Sequence, residues 1–594
     1  MVFLVVFSPQ NRSFCPILAI FHNNEAGLAT YILRFEKFNG FLHPSSLAIF
    51  SKILAITSQT ERNRKHFSKN HKINTARRLI YYVGTKRGLN TNKMKIFTKT
   101  VLALVATVAV AGQALAGGPM TNTNQSASFL RSLARGTSLD PDAVYNNPAG
   151  TVFMADGWHI GINDQMAYQT RTTTSTFTPF ALGANNGGQA TKEFQGSVFS
   201  PLVPSVHAMW KHNRWAIMLG MGVNGGGGTI EYNDGLASFE RQFSVLPAGM
   251  KALDIDATGY GMDMMLKGSS MTLAFNAGAA FRITDWLSIA AQIRYSSTSN
   301  GYEGHMKNIG VVVGGQMTPA TTIFNNALTG LQTQYNDLNQ KHQYLVSKGL
   351  GDSADAKVLE AGMAQLQAGM QTVGENAVKT ADHTLDVKQK GHSISPVVAL
   401  AFHKDKWDAS LKYEFKMATE LEVESAEVSA NDPVINAIFP NGATIKSETP
   451  ALLAAAVSRH FGPVKVTAEW HHYFDKNAEN SFSPVIEGNT NEYLLGAEWS
   501  ISDRWLVSAG TQRTQLNMDE NAYSDMNFSI SSWSVGAGLA FVCTDNIRLN
   551  LGVMPTIYDE AVAVGKDSNG IDFKDVYNRT SMAWGVGLDL KFGK

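Results

Sequence analysis

The chain has 594 residues, of which 44 % are hydrophobic, 17 % are charged and 52 are glycine, and its formal net charge at pH 7 is +1. The charged fraction is low beside the ~25 % of ordinary soluble domains. No uncharged apolar run reaches the length of about 18 residues that a membrane-spanning helix needs, so a membrane protein built from several such helices is excluded. Two cysteines, Cys15 and Cys543, exclude a disulfide-rich scaffold and a cysteine-based zinc site.

A secretion signal is predicted well inside the N-terminal part of the chain. Met94 opens a short basic segment, residues 101–112 are apolar or small apart from Thr107, and Ala114 and Ala116 form an A-x-A cleavage site. A basic segment, a short apolar segment and a small-residue cleavage site are the three parts of a signal peptide. We therefore predict that residues 94–116 are the signal peptide.

The 93 residues before this segment are interpreted as upstream sequence translated from a start codon set too early. Residues 1–100 hold 16 of the 50 basic residues but only 3 of the 49 acidic ones, so the remainder of the chain is acidic. A basic extension that binds nucleic acid and an unusual targeting segment are the alternatives for residues 1–93.

Residues 117–156 follow the predicted cleavage site and do not alternate between apolar and polar positions. Phe129, Leu130 and Leu133 have helical spacing, and Gly136 ends the helical stretch. If the strands that follow close into a barrel, this segment folds either into its lumen as a plug or outside it as a loose periplasmic tail, and the residues alone leave both possibilities open.

From Gly157 onward the dominant pattern has a period of two, which predicts strands with one apolar and one polar face. In residues 287–295, for example, Leu287, Ile289 and Ile293 share one face, and the other carries polar side chains. Short polar turns alternate with long polar loops, and fourteen segments result. The predicted long loops are residues 170–200, 225–268, 301–390, 418–446, 476–488, 518–527 and 559–577.

Short turns at one rim and long loops at the other are typical of an outer-membrane barrel. We therefore predict an all-β fold, a 14-stranded antiparallel transmembrane β-barrel over residues 157–594, in the outer membrane of a Gram-negative bacterium. Residues 318–388 contain a helical pattern and are predicted as a helical extracellular loop. A soluble β-sandwich or propeller is the alternative, since these folds also alternate; the even strand count and the asymmetric loops favour the membrane barrel.

The segment before the first strand resembles the N-terminal hatch of the FadL/TodX-type transporters of hydrophobic compounds. The likeness lies in Asn147-Pro148-Ala149, which follows an Asp-rich turn and a Gln-Ser-Ala-Ser helix start at residues 125–128. The hairpin around residues 388–413 is also similar to the strand–turn–strand that follows the third loop in that family. The resemblance implies a hatch at residues 117–156 that occupies the lumen and helices in the extracellular loops.

The resemblance further implies passive uptake of hydrophobic compounds, such as long-chain fatty acids or aromatic hydrocarbons. They would be captured among the outer loops, passed into the lumen and released sideways through a gap in the wall. A barrel adhesin or surface structural protein and a general diffusion porin are the alternative functions. The expected partners are hydrophobic small molecules and outer-membrane lipid, without nucleic acid, and the chain is expected to be a monomer.

The candidate site residues fall into two groups. The hatch motif is Asn147, Pro148 and Ala149, where proline fixes φ and asparagine bonds nearby backbone groups. The candidate substrate-binding residues are apolar side chains of the hatch and of the second and third loops: Phe129, Leu133, Phe239, Phe243, Leu246, Met250, Phe324 and Leu328. Packing between loop helices is the alternative role for the loop residues.

Sequence motifs for catalysis, phosphate binding and metal binding are not found, so the chain is predicted to be neither an enzyme nor a cofactor or metal protein. The glycine run at residues 225–228 is interpreted as a flexible transition from strand to loop. Charged residues of both signs on the polar wall are interpreted as wall hydration and cross-strand pairing, with a selective ion path as the alternative. They are Asp408, Lys412, Glu414, Lys465, Glu469, Glu498, Arg548, Asp589 and Lys591.

Overall fold

The computed structural model describes residues 19–24, 27–32, 122–250, 254–479, 486–519, 523–525 and 528–593, so the predicted signal peptide lies outside the described residues. Within the N-terminal unit of residues 1–91, strands β1 (Ala19–Asn24) and β2 (Gly27–Ile32) form an antiparallel pair. The second unit, residues 92–594, holds the barrel.

The second unit contains a closed barrel of antiparallel segments β3 to β20, in which β20 pairs with β3. The first nine segments are β3 (Gly157–Phe177), β4 (Thr191–His212), β5 (Trp215–Tyr232), β6 (Ala257–Arg282), β7 (Leu287–Val313), β8 (Gln316–Pro319), β9 (His383–Lys404), β10 (Trp407–Glu414) and β11 (Glu420–Ser425). The other nine are β12 (Thr444–Lys446), β13 (Leu452–Phe461), β14 (Val464–Tyr473), β15 (Thr490–Ser500), β16 (Trp505–Gln515), β17 (Ser532–Thr544), β18 (Ile547–Tyr558), β19 (Ala561–Lys566) and β20 (Asp572–Phe592).

These segments make fourteen wall strands. Three wall strands are each broken in two, β10 with β11, β12 with β13 and β18 with β19, and β8 is a short arm that pairs with the end of β7. The prediction of a closed 14-stranded antiparallel barrel is confirmed. Its two rims differ, because turns as short as Asn213 and Arg214 join strands at one end while loops of up to 69 residues, between β7 and β9, join them at the other. The long-loop rim is the extracellular one in barrels of this kind.

The wall has its apolar side facing outward and its polar side facing inward. On β7, Ile289, Ile293 and Tyr295 are 45 %, 37 % and 41 % exposed, whereas Ser288 and Arg294 are buried. A soluble protein would bury the apolar face, so this arrangement fits a barrel whose outer surface lies in lipid. Exposed aromatic residues form a periplasmic row, at Trp158, Trp215, Trp286, Trp407, Phe461, Trp505 and Phe592, and an outer row, at Tyr168, Phe199, Phe275, Tyr295, Phe415, Tyr493 and Trp533.

Several strands are much longer than a bilayer requires. The strands β3, β6 and β7 have 21, 26 and 27 residues, whereas about 9–11 residues cross the hydrocarbon core. The loops predicted at residues 170–200, 225–268 and 301–390 are therefore too long. Their first and last residues belong to strands that continue above the membrane. They continue because their inward side chains pack against each other in the extracellular half of the lumen.

Helices occur in the hatch and in the extracellular loops. The hatch holds α1 (Ala127–Ser132) and α2 (Ala143–Asn146), and the loops hold α3 (Ala237–Ser244), α4 (Leu246–Met250), α5 (Ala320–Ser347), α6 (Ala354–Lys379), α7 (Glu427–Asn431) and α8 (Pro433–Ile438). The two longest, α5 and α6, form an antiparallel hairpin between β7 and β9. Among the described residues, no helix combines the length and the hydropathy that crossing a membrane requires.

Candidate functional site

The segment from residue 122 to residue 154 lies inside the barrel, where nearly all of its side chains are buried. Helix α1 begins at Ser126, whose Oγ accepts a hydrogen bond from the Phe129 amide at 3.0 Å. Glycines of the wall allow α1 to approach closely, because a Cβ on Gly496 or Gly510 would lie 2.3 or 2.0 Å from the Ser132 carbonyl oxygen. This segment is called the hatch below, and it contacts several strands of the wall from inside the barrel.

The Asn147-Pro148-Ala149 motif forms the start of a 3-10 helix (Pro148–Phe153) at the end of the hatch. The Asn147 side chain accepts from the Gly150 amide at 3.2 Å and donates from Nδ2 to the Ser138 carbonyl at 3.1 Å. Ala149 is held to the wall, because Ser288 on β7 donates to its carbonyl at 2.6 Å. The motif therefore ties two parts of the hatch together and ties the hatch to the barrel.

A cluster of arginines and carboxylates anchors the hatch at its polar side. Arg131 donates to Glu498 on β15 at 2.6 Å, and Arg135 bonds Asp142 at 2.8 Å and Asp140 at 2.7 Å. Burial by itself would raise the pKa of Asp142, but the adjacent Arg135 outweighs this effect and the pKa of that carboxyl lies below its ordinary value. Removing either partner of such a buried ion pair is strongly destabilising, because the other charge is left buried without compensation.

Charged wall residues pair across strands as predicted, for example Arg548 with Asp589 at 2.7 Å, and several of them also hold the hatch backbone. Glu469 accepts from the Gly136 amide at 2.7 Å, Lys412 donates to the Tyr145 carbonyl at 3.0 Å and Lys465 donates to the Thr137 carbonyl at 2.7 Å. Their spacing along each strand showed only that they face the lumen, so nothing in the sequence indicated which hatch groups they meet.

Above the hatch, the inward side chains of one part of the wall are apolar. Residues of β4 to β7, β9, β11, β12 and the loop around α8 pack together here, and they are called the lumen cluster: Val198, Ile230, Tyr232, Leu236, Met264, Leu266, Tyr302, Leu385, Val387, Val423, Ile435, Ile438, Phe439 and Ile445. Phe239, one of the candidate substrate-binding residues, packs against this cluster. One side of the extracellular half of the lumen is thus apolar, whereas β3 and β20 carry buried polar residues at this level, such as Arg171 and Asp575.

A second apolar group, called the loop cluster, lies where α3 to α6 meet the ends of β6 and β7. It consists of Phe243, Met250, Ala257, Tyr260, Ile309, Val311, Ala320, Ile323, Phe324 and Val373, with Leu246 and Leu328 packed against it. Five candidate substrate-binding residues, which come from two loops, therefore meet here: Phe243, Leu246, Met250, Phe324 and Leu328. Met262 contacts both the loop cluster and the lumen cluster, so the two groups are continuous.

The two remaining candidates, Phe129 and Leu133, lie elsewhere. Both are buried in the hatch, where they pack with wall residues such as Ala167 and Val203. They are separated from the loop candidates by the lumen cluster, so the predicted substrate-binding set does not form one group. In this conformation their contacts are those of hatch anchors.

The barrel wall is interrupted between β4 and β5. Their ladder runs from His212 to Val206 and resumes only at Val198, all within the described chain. On the β5 side lies the glycine run of residues 225–228, which includes Gly226 and Gly227 at φ +67° and +108°, values that favour glycine. This run, interpreted from the sequence as a transition to a loop, is instead part of β5 and one edge of the interruption.

The start of the hatch lies against this interruption. The Asn122 amide donates to the Asn224 carbonyl at 2.8 Å, and Gln125 Nε2 donates to the Val223 carbonyl at 2.8 Å. From the β4 edge, Ser205 donates to the Gln125 carbonyl. Residues 122–125, called the strap below, thus supply hydrogen-bond partners that the two strands do not find in each other.

No family model matches the sequence, and no curated protein matches it. Among solved structures, the fold is similar to that of a Pseudomonas aeruginosa FadL homologue, with 13 % identity and a TM-score of 0.50 over 80 % of this chain and 99 % of that chain. The P. putida toluene transporter TodX (12 % identity, TM-score 0.44, 78 % and 97 % covered) and the Ralstonia pickettii toluene transporter TbuX (12 %, 0.40, 76 % and 94 %) are also found. The likeness to the FadL homologue, together with the 14-stranded barrel, shows that the chain has the predicted FadL-type fold. With its closed ring of paired strands and apolar outer belt, it is an outer-membrane barrel.

Proposed function

We propose that this chain is an outer-membrane channel for the passive uptake of hydrophobic compounds, such as long-chain fatty acids or aromatic hydrocarbons. The observation that carries the proposal is the continuity of apolar side chains from the loop cluster through Met262 into the lumen cluster, ending at a hatch beside an interrupted wall. A channel for hydrophilic solutes would have a polar lumen. Here the lumen cluster and the loop cluster give one side of the extracellular half of the lumen a continuous apolar lining, which favours a hydrophobic solute.

Capture is assigned to the loop cluster. Phe239, Leu246 and Leu328 are only partly buried in the described structure, so they are the side chains that an arriving solute would meet first. Each would bind it by removing apolar surface from water, at about 25 cal/mol per Å². Phe243, Met250 and Phe324, which are buried beneath them, would shape the site.

Release is assigned to the interruption between β4 and β5. A solute that reaches the hatch meets a charged and hydrogen-bonded layer, in which an apolar molecule would leave polar groups without partners. The wall gap offers a sideways route into the bilayer, provided that the strap moves off the strand edges. The Asn147 motif would hold the rest of the hatch in place during that movement.

Uptake of labelled oleate and labelled toluene is the experiment that tests this proposal, with expression begun at Met94 in cells that lack their own importer. Saturable uptake of either compound above the empty vector supports the channel, and the compound that is taken up identifies the substrate class. If neither compound is taken up although a heat-modifiable barrel is present in the outer membrane, the proposed function is rejected.

The same cells separate the alternatives. A general porin would show high single-channel conductance for salt with the hatch in place, whereas the proposed channel should show low conductance that rises when residues 122–154 are deleted. A barrel adhesin would take up neither compound and would lose surface binding when residues 318–388 are removed.

A further inference from the structure

An acidic side chain lies on the lipid-facing side of the wall at Asp164. Along β3 the outward positions run from Trp158 through Ile162 and Met166 to Tyr168, all 40–51 % exposed, and Asp164 lies in the middle of this belt. A carboxylate facing the hydrocarbon core is costly and uncommon in membrane barrels. Its presence calls for a specific partner.

That partner is a backbone amide of the neighbouring strand. Asp164 Oδ1 accepts a hydrogen bond from the Val203 amide at 3.0 Å. The bond lies at an irregularity of the β3–β4 ladder, where Gln165 pairs with Val203 but Ala167 pairs with Ser200, so β4 has one additional residue there. A β-bulge leaves backbone groups without a ladder partner, and in lipid each such group costs several kcal/mol.

The sequence of this bulge reduces the number of amides that need a partner. Pro201 and Pro204 have no amide hydrogen, and of the two amides between them Asp164 accepts from that of Val203. Within the bulge Leu202 faces outward and is 66 % exposed, next to Phe199, which is outward by the regular alternation of β4 and 61 % exposed. The same residues of β4 are those that have no β5 partner.

The inward side of β3 at this level holds the strap. Gln165, next to Asp164, exchanges two amide hydrogen bonds with Asn124, at 2.7 and 3.1 Å, and Asn163 accepts from the Ala127 amide at 3.2 Å. Three consecutive residues of β3 therefore contact the β4 edge on one face and the hatch on the other.

From this geometry we infer that Asp164 is a positioning residue for the wall opening. Its carboxylate replaces the missing ladder acceptor and keeps β4 in the bulged conformation that leaves residues 199–205 without a β5 partner. The inference rests on the proposed function in one respect only, which is the expectation that loss of the opening slows uptake. The effect on the wall itself is independent of any solute.

The geometry of the wall is measured first, with a cysteine pair across the extracellular end of the interruption. A Cβ on residue 228 would lie 3.9 Å from the Ser200 Cβ, within the range of disulfides. Ser200→Cys and Gly228→Cys are combined with Cys543→Ser, and the rate of oxidation is followed by the loss of maleimide-reactive thiols. The Val198 methyl group, 2.6 Å from the new Cβ, has to rotate away.

In this background, Asp164→Val should change the oxidation rate about tenfold, because the Val203 amide must find another acceptor and the bulge rearranges. Asp164→Asn retains an acceptor at Oδ1 and should keep the original rate. Thr170→Val is the matched control, since Thr170 also faces outward on β3 but bonds Thr580 on β20, away from the interruption. An unchanged rate in Asp164→Val, with a heat-modifiable barrel, overturns the inference.

Uptake is measured second, in the same variants with native Ser200 and Gly228. Asp164→Val should take up the solute about tenfold more slowly than Asp164→Asn and Thr170→Val. If Asp164→Val alters the oxidation rate but leaves uptake unchanged, Asp164 still positions the wall and release through the interruption is rejected. If Asp164→Val fails to reach the membrane, Asp164→Asn and Asp164→Ser give the comparison, because serine is too short to reach the Val203 amide.

Discussion

Gln125 of the hatch and Val223 of β5 are joined by a hydrogen bond of 2.8 Å, from the side-chain Nε2 to the carbonyl oxygen, at the edge where β5 has lost its β4 partner. The same Nε2 donates to the Asn122 carbonyl at 2.9 Å. One side chain therefore holds the strap together and attaches it to the wall.

Replacing Gln125 by alanine should loosen the strap. Two hydrogen bonds are lost and the Val223 carbonyl loses a donor, at a cost of about 1–2 kcal/mol. That cost raises the population with a displaced strap about 5- to 30-fold. Single-channel conductance in planar bilayers should show more frequent open events, while the melting temperature of the barrel stays unchanged.

Gln332→Ala is the matched control for this prediction, because Gln332 lies on exposed α5 and bonds only its helix neighbour Asn336 among the contacts described. Equal open frequencies in the two variants would show that the strap is not held by Gln125.

Asn147→Ala should weaken the hatch without unfolding the barrel. The substitution removes the cap on the Gly150 amide and the bond to the Ser138 carbonyl, and caps of this kind contribute about 1 kcal/mol. Faster protease cleavage within residues 122–154, measured on the purified barrel, is the expected result. Asn147→Asp keeps the acceptor for the Gly150 amide, so its cleavage rate should lie between those of the wild type and Asn147→Ala. Asn569→Ala, in an exposed turn, is the control and should leave the cleavage rate unchanged.

The barrel could be predicted from the sequence because its signal is local. In residues 287–295 each apolar side chain is followed by a small or polar one, and the two faces of β7 separate as that period requires. The ends of the strands were harder to predict. Above the membrane the outward positions of β3 become Thr170, Thr172 and Thr174, so the contrast between faces that marks a strand disappears although the ladder continues.

The site was predicted only in part, since its groups come from distant parts of the chain. Phe243 and Phe324 were chosen as apolar loop residues, but 81 positions separate them and only the fold brings them into one cluster. The interruption depends on Pro201 and Pro204 in one strand and on the glycine run in the next. Each is visible in the sequence, yet their alignment follows from the register, which no local pattern specifies.

Leu328 and Leu345 offer a test of the capture site within one helix. Both lie on α5 and both are half-buried, but Leu328 packs against the loop cluster whereas Leu345 lies near the far end of the hairpin. Leu328→Asn should raise the concentration for half-maximal uptake about fivefold, a loss of ~1 kcal/mol of apolar contact, and Leu345→Asn should leave it unchanged. Concentration-dependent uptake of the compound found active measures this difference. Equal effects of both variants would indicate a general role of the hairpin.

The ion pair of Asp142 with Arg135 predicts how the hatch responds to acid. The pKa of Asp142 in the folded chain lies below its ordinary value, because the attraction of Arg135 exceeds the effect of burial. A carboxyl of this kind stabilises the fold fully above the unfolded value of about 3.9, and the contribution is lost as the pH falls through the folded pKa. Conductance of the wild-type channel should therefore stay low from pH 7 to about pH 4 and rise below it.

Asp142→Asn removes the charge while keeping the size of the side chain, so its conductance should already be raised at pH 7 and should depend less on pH. Asp337→Asn is the matched control, because Asp337 also pairs with a basic residue, Lys341, but on the exposed face of α5, where an ion pair contributes little. If Asp142→Asn and Asp337→Asn gave the same conductance from pH 7 to pH 3, the buried ion pair would not hold the hatch. Its anchoring would then have to come from the wall residues Glu469 and Lys412, which bond the hatch backbone at Gly136 and Tyr145.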